Sequence, residues 1–423
     1  MRMNTYHDLV RQIRNTSIRM DSTDDLDVLV EAVGDAQIVL LGEASHGTSE
    51  FYTLRMELSK KLIERKGFQF IGVEGDWPSC CSLNSYVKHM ADAPESVRDA
   101  LGAFNRWPTW MWANREVMEL GEWLRGYNAN RSEQERVGFY GLDMYSLWES
   151  LDEVVKFLEE TNAPELFKAK RAFACFEPYS REGQTYGMAA AFLNETCEEE
   201  VVKLLTSLQE RRFQGRPQSE AELSAELNAM VAVNAERYYR TMMRGGSDSW
   251  NVRDTHMVDA LEHLMRFHGR GAKAILWEHN THIGDARATD MAMDGMLNVG
   301  QLVRERYGRE TCYAIGFGTH RGTVIAAREW GAAIQEMPVP EAIHNSWEDL
   351  MHRAGAYNQI LMLGPRNPHF QTTVGHRAIG VVYHPEYERG NYVPSKMSER
   401  YDAFVFVDET KALQPLAVEK VLV

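Results

Sequence analysis

Carboxylate and imidazole side chains follow three separate apolar runs of this chain. Each run is short and rich in β-branched residues, which is typical of a fully buried strand of a parallel sheet. The carboxyl ends of such strands meet at one edge of the sheet, and open α/β sheets bind their ligands there. We therefore expect one crevice lined by acidic and imidazole groups, as in sites for acid–base or metal chemistry. The five residues are Glu43, His46, Glu74, His279 and His282.

The first polar segment suits a histidine that acts as a base. Glu43 and His46 lie three residues apart, and the group is flanked by Gly42 and Gly47. A helix is expected to begin near His46, and the partial positive charge of a helix N-terminus opposes protonation of an imidazole. A nearby carboxylate can hold the tautomer of such a histidine. A capped turn with a surface histidine is the alternative interpretation.

The other two segments supply further acid–base groups. Glu74 directly follows an apolar run, so partial desolvation should perturb its pKa. Asp76 lies two residues before Pro78 and suits the N-cap of a helix. His279 and His282 are three residues apart, which places both imidazoles on one side of a helical turn. Together with a carboxylate they could bind Zn²⁺, so a metal site is a second interpretation.

More distant candidates add to the expected lining of the crevice. They follow other predicted strands, or they lie in the helix after the first polar segment or in a tryptophan-rich stretch. Each is also consistent with a structural ion pair or with core packing. For the tryptophans, core packing and an apolar cleft wall for a bulky substrate are equally good interpretations. These residues are Arg55, Trp107, Trp110, Asp143, Tyr145, His320 and Arg321.

The elements that must position these residues alternate between strands and helices. This alternation predicts an α/β fold with a mostly parallel central sheet flanked by helices. Two of the later strands are predicted at residues 312–317 and 323–326. Residues 147–270 show helical spacing without a strand pattern, which predicts an all-helical insertion over the carboxyl-end crevice. Residues 1–146 and 271–423 are then the two parts of the α/β core.

The composition of the chain limits the classes of binding partner and the cellular location that we expect for it. The chain has 423 residues and a net charge of −15, which argues against a nucleic-acid partner and against an anionic membrane surface. No window approaches the apolar length of a membrane span, and the N-terminus has no apolar stretch of signal-peptide type. We therefore expect a cytoplasmic protein. The five cysteines match no zinc framework, and Cys80 and Cys81 are interpreted as core thiols.

The three polar segments resemble those of the erythromycin esterase family. The resemblance rests on residues 41–47 (LGEASHG), 73–77 (VEGDW) and 279–282 (HNTH), and their order and separations match over nearly the whole chain. It implies hydrolysis of a carboxylic ester without a metal or other cofactor. In that family the ester is a macrolide lactone, so the resemblance also implies antibiotic resistance. A similar Glu/His segment recurs in the Tiki-type metalloproteases, which use a metal.

The resemblance also implies roles for individual residues. His46 matches the general base that activates water, and Arg55 and His282 match the supporting polar residues around it. The residues that match groups assisting the base are Glu43, Glu74 and His279.

Both lines of inference predict a hydrolase that acts on a small-molecule ester or lactone with a water activated by histidine. A Gly-x-Ser-x-Gly elbow is absent from the sequence, which argues against a covalent serine mechanism. A metal-dependent hydrolase that uses the same Glu/His cluster is one alternative. A non-catalytic binder of large apolar ligands is another, although the presence of all three polar segments argues against it. The sequence makes no prediction about the oligomeric state.

Overall fold

The computed structural model describes residues 2–193, 196–211, 217, 219–364 and 367–417. Its strands are β1 (Ser17–Arg19), β2 (Ile38–Leu41), β3 (Phe70–Asp76), β4 (Gly138–Asp143), β5 (Ala274–Trp277), β6 (Cys312–Ala327), β7 (Ile334–Val339), β8 (Gln359–Met362), β9 (Thr373–Arg377), β10 (Tyr392–Lys396) and β11 (Ala403–Thr410).

The helices flank these strands on both sides. They are α1 (Arg2–Thr16), α2 (Asp27–Val33), α3 (Ser49–Lys66), α4 (Trp77–Val87), α5 (Val97–Leu101), α6 (Arg115–Asn128), α7 (Leu147–Glu160), α8 (Leu166–Phe176), α9 (Gly183–Leu193), α10 (Glu198–Arg211), α11 (Glu220–Met242), α12 (Asp248–His268), α13 (Asn280–Ile283), α14 (Val299–Tyr307), α15 (Trp347–Ala354) and α16 (Met397–Arg400).

A nine-stranded sheet forms the centre of the protein. Its main path runs β1-β8-β11-β6-β2-β5-β3-β4, and β7 pairs with β6 beside this path. The six strands from β11 to β4 are parallel, whereas β1, β8 and β7 pair antiparallel. Trp277 is level with both Leu41 and Val73, so the residues after β2, β5 and β3 emerge together at one edge. The predicted α/β class is confirmed.

The two faces of the sheet are covered by different helices. Alternate residues of a strand point to opposite faces. Accordingly, Val39 and Leu41 of β2 belong to one hydrophobic cluster, which contains residues of α3 and α6, while Ile38 and Leu40 belong to another, which contains residues of α12 and α14. All four residues are fully buried, so the register of β2 is fixed from both sides.

Within its described residues, the segment predicted as an insertion contains helices and no strand. Helices α7 to α12 lie within it, and α7 to α11 share a hydrophobic cluster of their own, whereas the core residues of α12 pack in a cluster on one face of the sheet. The division of the chain into three parts stays a prediction. Cys175 and Cys197 form a disulfide inside this segment, a pairing that the sequence did not indicate. Disulfides are rare in cytosolic proteins, so the cysteines no longer support the cytoplasmic location, which also stays a prediction.

One pair of predicted strands is a single element in the structure. β6 continues through the residues between the two predicted runs, because β11 pairs alongside it as far as Gly322 and β7 pairs with its second half. His320 and Arg321 therefore lie inside a strand rather than after one. A search of the described helices for an apolar stretch of membrane-spanning length finds none.

Candidate active site

A cavity of about 440 Å³ opens at the carboxyl ends of β2, β5, β3 and β4. Its walls come from the loops after these strands, from the tryptophan-rich stretch before α6 and from α12. The structure brings seven of the predicted residues to its lining. They are His46, Glu74, Trp107, Asp143, Tyr145, His279 and His282.

Glu43 and His46 form a buried pair at the end of β2. His46 Nδ1 lies 2.9 Å from Glu43 Oε1, and Arg55 donates to Glu43 Oε2 at 2.5 Å. Arg55 is completely buried between the rings of Tyr52 and Trp277. Glu43 and Arg55 thus support His46 from behind and do not line the cavity. The helix begins only at Ser49, so the expected helix N-terminus near His46 was placed too early.

His279 faces His46 in the complementary tautomer. The ring centroids of the two histidines are 4.9 Å apart. His279 Nδ1 accepts a hydrogen bond from the backbone N–H of Thr281, so a neutral ring carries its proton on Nε2. Burial, together with the nearby His46, holds the pKa of His279 well below its usual range. His279 Nε2 is buried and has no side-chain hydrogen-bond partner among the described residues.

Glu74 is held at the floor of the cavity by a residue that the sequence analysis missed. Arg253 of α12 donates to Glu74 Oε1 at 2.7 Å and pairs with Asp143 through two hydrogen bonds of 3.0 and 2.6 Å. The backbone N–H of His279 donates to the other Glu74 oxygen at 2.8 Å. Burial opposes the charge on Glu74, but the neighbouring His282 and Arg253 cations outweigh it and hold its pKa well below the usual range.

His282 forms a second imidazole–carboxylate pair. Its Nδ1 lies 2.9 Å from Asp254 Oδ2, and Trp250 stacks on the ring with centroids 4.6 Å apart. Its Nε2 lies 3.4 Å from Glu74 Oε1 and 3.0 Å from Arg253 Nη1. Burial lowers the pKa of His282, but the Asp254 and Glu74 carboxylates outweigh it and raise that pKa to about 10. The two carboxylates therefore favour the charged ring, whereas the 3.0 Å contact with Arg253 Nη1, which can only donate, favours a neutral ring with Nε2 as the acceptor.

A further carboxyl group lies behind this cluster. Glu278 is completely buried, and neither of its oxygens has a hydrogen-bond partner among the described residues. Burial raises its pKa well above the usual range, which favours the neutral form of Glu278. The charged groups of the cluster are then Arg253 and the carboxylates around it, and His282 lies among them.

The remaining predicted residues lie elsewhere. Trp110 is buried in the hydrophobic cluster beneath α6 and does not line the cavity. His320 stacks on His352 with centroids 3.8 Å apart, and Arg321 is exposed and pairs with Glu409. The expectation that His320 and Arg321 line the crevice was wrong because β6 carries both past the edge of the sheet. Asp76 occupies the predicted N-cap, although its carboxylate pairs with Arg106.

Arg253 and Asp254 are the functional residues that sequence reasoning missed. They are adjacent on α12, and the structure turns both toward the carboxyl ends of the strands. The available signal was an Arg-Asp pair inside a helix that was expected to cover the crevice. Asp254 is fully buried and Arg253 nearly so, and such charged residues are almost never buried without partners.

The donor groups do not form a metal site of the type considered from the sequence. Among residues in the described ranges, no three His, Cys, Asp or Glu side chains are arranged to hold a metal ion. The guanidinium of Arg253 lies between Glu74 and Asp143, where a divalent cation would require their oxygens. These donors do not fit a hydrolytic metal centre, and the metal-free mechanism stays a proposal.

Comparisons with known proteins agree on one family. The family model described as erythromycin esterase matches residues 63–410. The erythromycin esterase type II of Escherichia coli is 22% identical over 379 residues, which cover 81% of this chain and 84% of that protein.

Two solved structures share the fold. A succinoglycan biosynthesis protein superposes with a TM-score of 0.79 at 20% identity, covering 96% of this chain and 98% of that one. An erythromycin esterase mutant in its open conformation superposes with a TM-score of 0.66 at 18% identity, covering 94% and 96%.

Proposed function

The chain belongs to the erythromycin esterase family, which supports a hydrolase, and we propose that it hydrolyses a carboxylic ester or lactone with a water activated by His46. One observation carries the proposal. His46 and His279 face each other with the Nδ1 atom of each ring already engaged, by Glu43 and Thr281 respectively. This leaves the two Nε2 atoms for the reaction, that of His46 as an acceptor of protons and that of His279, which has no side-chain hydrogen-bond partner among the described residues, as a donor.

These two nitrogens suffice for ester hydrolysis. His46 Nε2 takes a proton from a water, and the resulting hydroxide attacks the carbonyl carbon. His279 Nε2–H donates to the oxyanion that forms. As the tetrahedral intermediate collapses, the ester C–O bond breaks and the His46 imidazolium returns its proton to the leaving alkoxide. The products are a carboxylic acid and an alcohol. General base assistance contributes about 10²–10⁴-fold, and removing one oxyanion donor typically costs about 10²–10³-fold.

Glu43 and Arg55 make His46 a base of fixed orientation. Glu43 accepts the Nδ1 proton of His46, which directs the lone pair of Nε2 to the cavity, and it stabilises the imidazolium formed during the reaction. Arg55 binds the second oxygen of Glu43 and fixes that carboxylate beside the histidine. The buried rings of Tyr52 and Trp277 hold the guanidinium in place.

A panel of esters and lactones tests the proposal. The panel includes simple aryl and alkyl esters and macrolactones, since relatives carry the name erythromycin esterase. Purified protein should convert at least one member to a product heavier by one water, detected by mass spectrometry. Prior treatment with a chelator should leave that turnover unchanged. Loss of turnover after chelation, restored by one divalent ion, would replace the histidine-activated water with a metal-activated one. Hydrolysis of no member by folded protein would overturn the proposal.

A further inference from the structure

Three buried polar side chains form a hydrogen-bonded chain that ends at the residue after His279. They are Asn280 at the start of α13, His376 of β9 and Glu348 of α15, and each is completely buried. None of the three lines the active-site cavity, and the mechanism above uses none of them. Buried polar groups destabilise a fold unless they are paired, so their partners are informative about what this chain does.

The side chain of Asn280 continues the sheet at the point where β2 ends. The last strand residue is Leu41, and the N–H of Gly42 still donates to the carbonyl of Ile315 in β6 at 2.9 Å. Further along β6, the backbone N–H of Phe317 donates to Asn280 Oδ1 at 3.2 Å, and its carbonyl accepts from Asn280 Nδ2 at 2.6 Å. The amide therefore bonds to β6 as a further peptide of β2 would. Only glycine fits at position 42, because a Cβ atom there would lie 2.1 Å from Asn280 Oδ1.

The orientation of this amide determines the tautomer of His376. Phe317 fixes which end of the amide is the donor, so Asn280 Nδ2 donates to His376 Nε2, which lies 3.2 Å away. A neutral His376 then carries its proton on Nδ1, which donates to Glu348 Oε1 at 2.5 Å. The same oxygen accepts from the backbone N–H of Arg377 at 2.9 Å. Burial lowers the pKa of His376, which agrees with a neutral ring.

The backbone of Asn280 is tied to the segments that carry the catalytic groups. Its N–H donates to the carbonyl of Glu43 at 2.9 Å, and its carbonyl accepts from Arg400 Nη2 at 2.9 Å. His279 directly precedes it, and the backbone N–H of His279 donates to Glu74 at 2.8 Å. All four polar groups of Asn280 thus have partners. Loss of one partner leaves a buried group unpaired or requires the peptide between His279 and Asn280 to move.

We propose that His376 and Glu348 are positioning residues of the active site, which act through Asn280 on the position of His279 Nε2. His376 accepts from the amide of Asn280, and Glu348 holds the tautomer of His376 that is able to accept. A misplacement of about 1 Å can lower a rate by about 10²-fold, so an oxyanion donor must be held precisely. The role of His279 as that donor comes from the proposed function, and this inference rests on it.

Two variants of His376 separate the two hydrogen bonds of its ring. In His376→Gln, the amide oxygen can take the place of Nε2 and still accept from Asn280. In His376→Asn, the shorter amide can take the place of Nδ1 and donate to Glu348, but it leaves Asn280 without its acceptor. We expect kcat on an accepted ester to be about tenfold lower in the asparagine variant than in the glutamine variant, with KM values within about twofold, because His279 acts on the transition state. Equal kcat values in the two variants would contradict the proposal.

His352→Asn is the matched control. His352 lies one turn after Glu348 on α15, and its Nδ1 lies 2.6 Å from a carboxylate oxygen of Asp408. It does not line the active-site cavity. Its replacement should therefore leave kcat within about twofold of the parent value. A tenfold fall in this variant would show that the loss of any paired histidine in this part of the fold lowers turnover, which would overturn the specific role of His376.

A double-mutant cycle tests whether His376 acts through His279. The tenfold difference between His376→Asn and His376→Gln should shrink to about twofold or less when both are made in a His279→Gln background. A purely structural role of His376 would instead lower kcat by the same factor in both backgrounds. Persistence of the full difference without His279 would overturn the assignment.

Crystal structures of the parent and of both His376 variants separate this proposal from the proposed function, because they report the position of His279 without turnover. We expect His279 Nε2 to stay within about 0.5 Å of its parent position in His376→Gln and to move by about 1 Å or more in His376→Asn. Movement in the asparagine variant alone, in a protein that hydrolyses no ester, would leave the positioning role standing and overturn the esterase. An unmoved His279 in both variants of a protein that hydrolyses esters would do the reverse.

Discussion

Two imidazole–carboxylate pairs of the same construction lie in different electrostatic surroundings in this site. Nδ1 lies 2.9 Å from a carboxylate oxygen in each, provided by Glu43 for His46 and by Asp254 for His282. The pairs differ at the second ring nitrogen. Arg253 and the carboxylate of Glu74 lie beside His282 Nε2, whereas no ion pair is formed at His46 Nε2 among the described residues. A carboxylate partner therefore does not by itself determine the role of a histidine in the site.

The difference follows from what lies behind each carboxylate. Arg55 binds the far oxygen of Glu43, so much of the negative potential of that carboxylate is offset before it reaches His46. No cationic side chain among the described residues forms an ion pair with Asp254 other than His282, whose ring also approaches Glu74. An arginine behind the carboxylate is therefore one difference between the surroundings of the two histidines.

Removing His46 should give the largest effect. His46→Ala should lower kcat on any accepted ester by about 10²-fold or more, because no other group on the cavity wall offers a basic lone pair at the same place. The measurement is steady-state kinetics on protein whose circular dichroism and unfolding midpoint match those of the parent. Turnover within a few fold of the parent in such a protein would show that His46 is not the general base.

Removing Arg253 should mainly lower the stability of the folded protein. Arg253→Met leaves Glu74 and Asp143 buried beside each other without a cation, and breaking a buried pair from one side costs about 3–5 kcal/mol. Urea unfolding measures this loss. Arg253→Lys is the matched variant, since a lysine keeps the charge but cannot form the two-point pairing with Asp143. We expect Arg253→Lys to be more stable than Arg253→Met but less stable than the parent. A lysine variant as stable as the parent would show that the positive charge alone stabilises this cluster.

The dependence of stability on pH should reveal the charge of His282. Its pKa is raised to about 10 in the folded protein against roughly 6.5 in an unfolded chain. The stabilisation is therefore fully present below about pH 6.5 and is lost as the pH rises toward 10. Histidines with lowered pKa values act in the opposite sense and destabilise the fold as the pH falls below about 6.5. They include His279, whose pKa is well below its usual range, and His256, whose pKa is lowered to about 4.

The unfolding midpoint, followed by calorimetry from acid to alkaline pH, should therefore pass through a maximum near neutrality. His282→Asn removes the titrating ring and should flatten the alkaline side of this curve while leaving the acid side. An unchanged alkaline side in the variant would mean that His282 is neutral in the folded protein. Arg253 would then donate a hydrogen bond to His282 Nε2.

The sequence predicted the parts of the site that depend on strand ends. Glu43, Glu74 and His279 each follow a buried apolar run, and parallel pairing alone brings such positions to one edge. Arg253 could not be located in the same way. It lies on a long helix, and only the packing of that helix against the sheet decides which side chains turn toward the cavity. The pairing with Asp143 is likewise a contact between residues 110 positions apart.

The error at His320 and Arg321 has a local cause. Gly316, Gly318 and Gly322 interrupt the apolar pattern of β6, and glycines in a strand weaken the sequence signal for it. In the structure the ring of Phe404 lies against Gly318, so the glycine is a site of close packing and not a strand end. The sequence pattern therefore predicted a strand that ends at residue 317, whereas β6 continues to Ala327.

Arg321 should therefore show the smallest effect of the residues considered for the site. Its guanidinium is exposed and pairs with Glu409 and Glu341, both of which are largely exposed. Exposed ion pairs contribute little to stability, and Arg321 does not line the active-site cavity. Arg321→Ala should therefore leave kcat and KM unchanged and leave the midpoint of urea unfolding close to that of the parent. A tenfold rise in KM for a bulky ester would instead show that this part of β6 contacts the substrate.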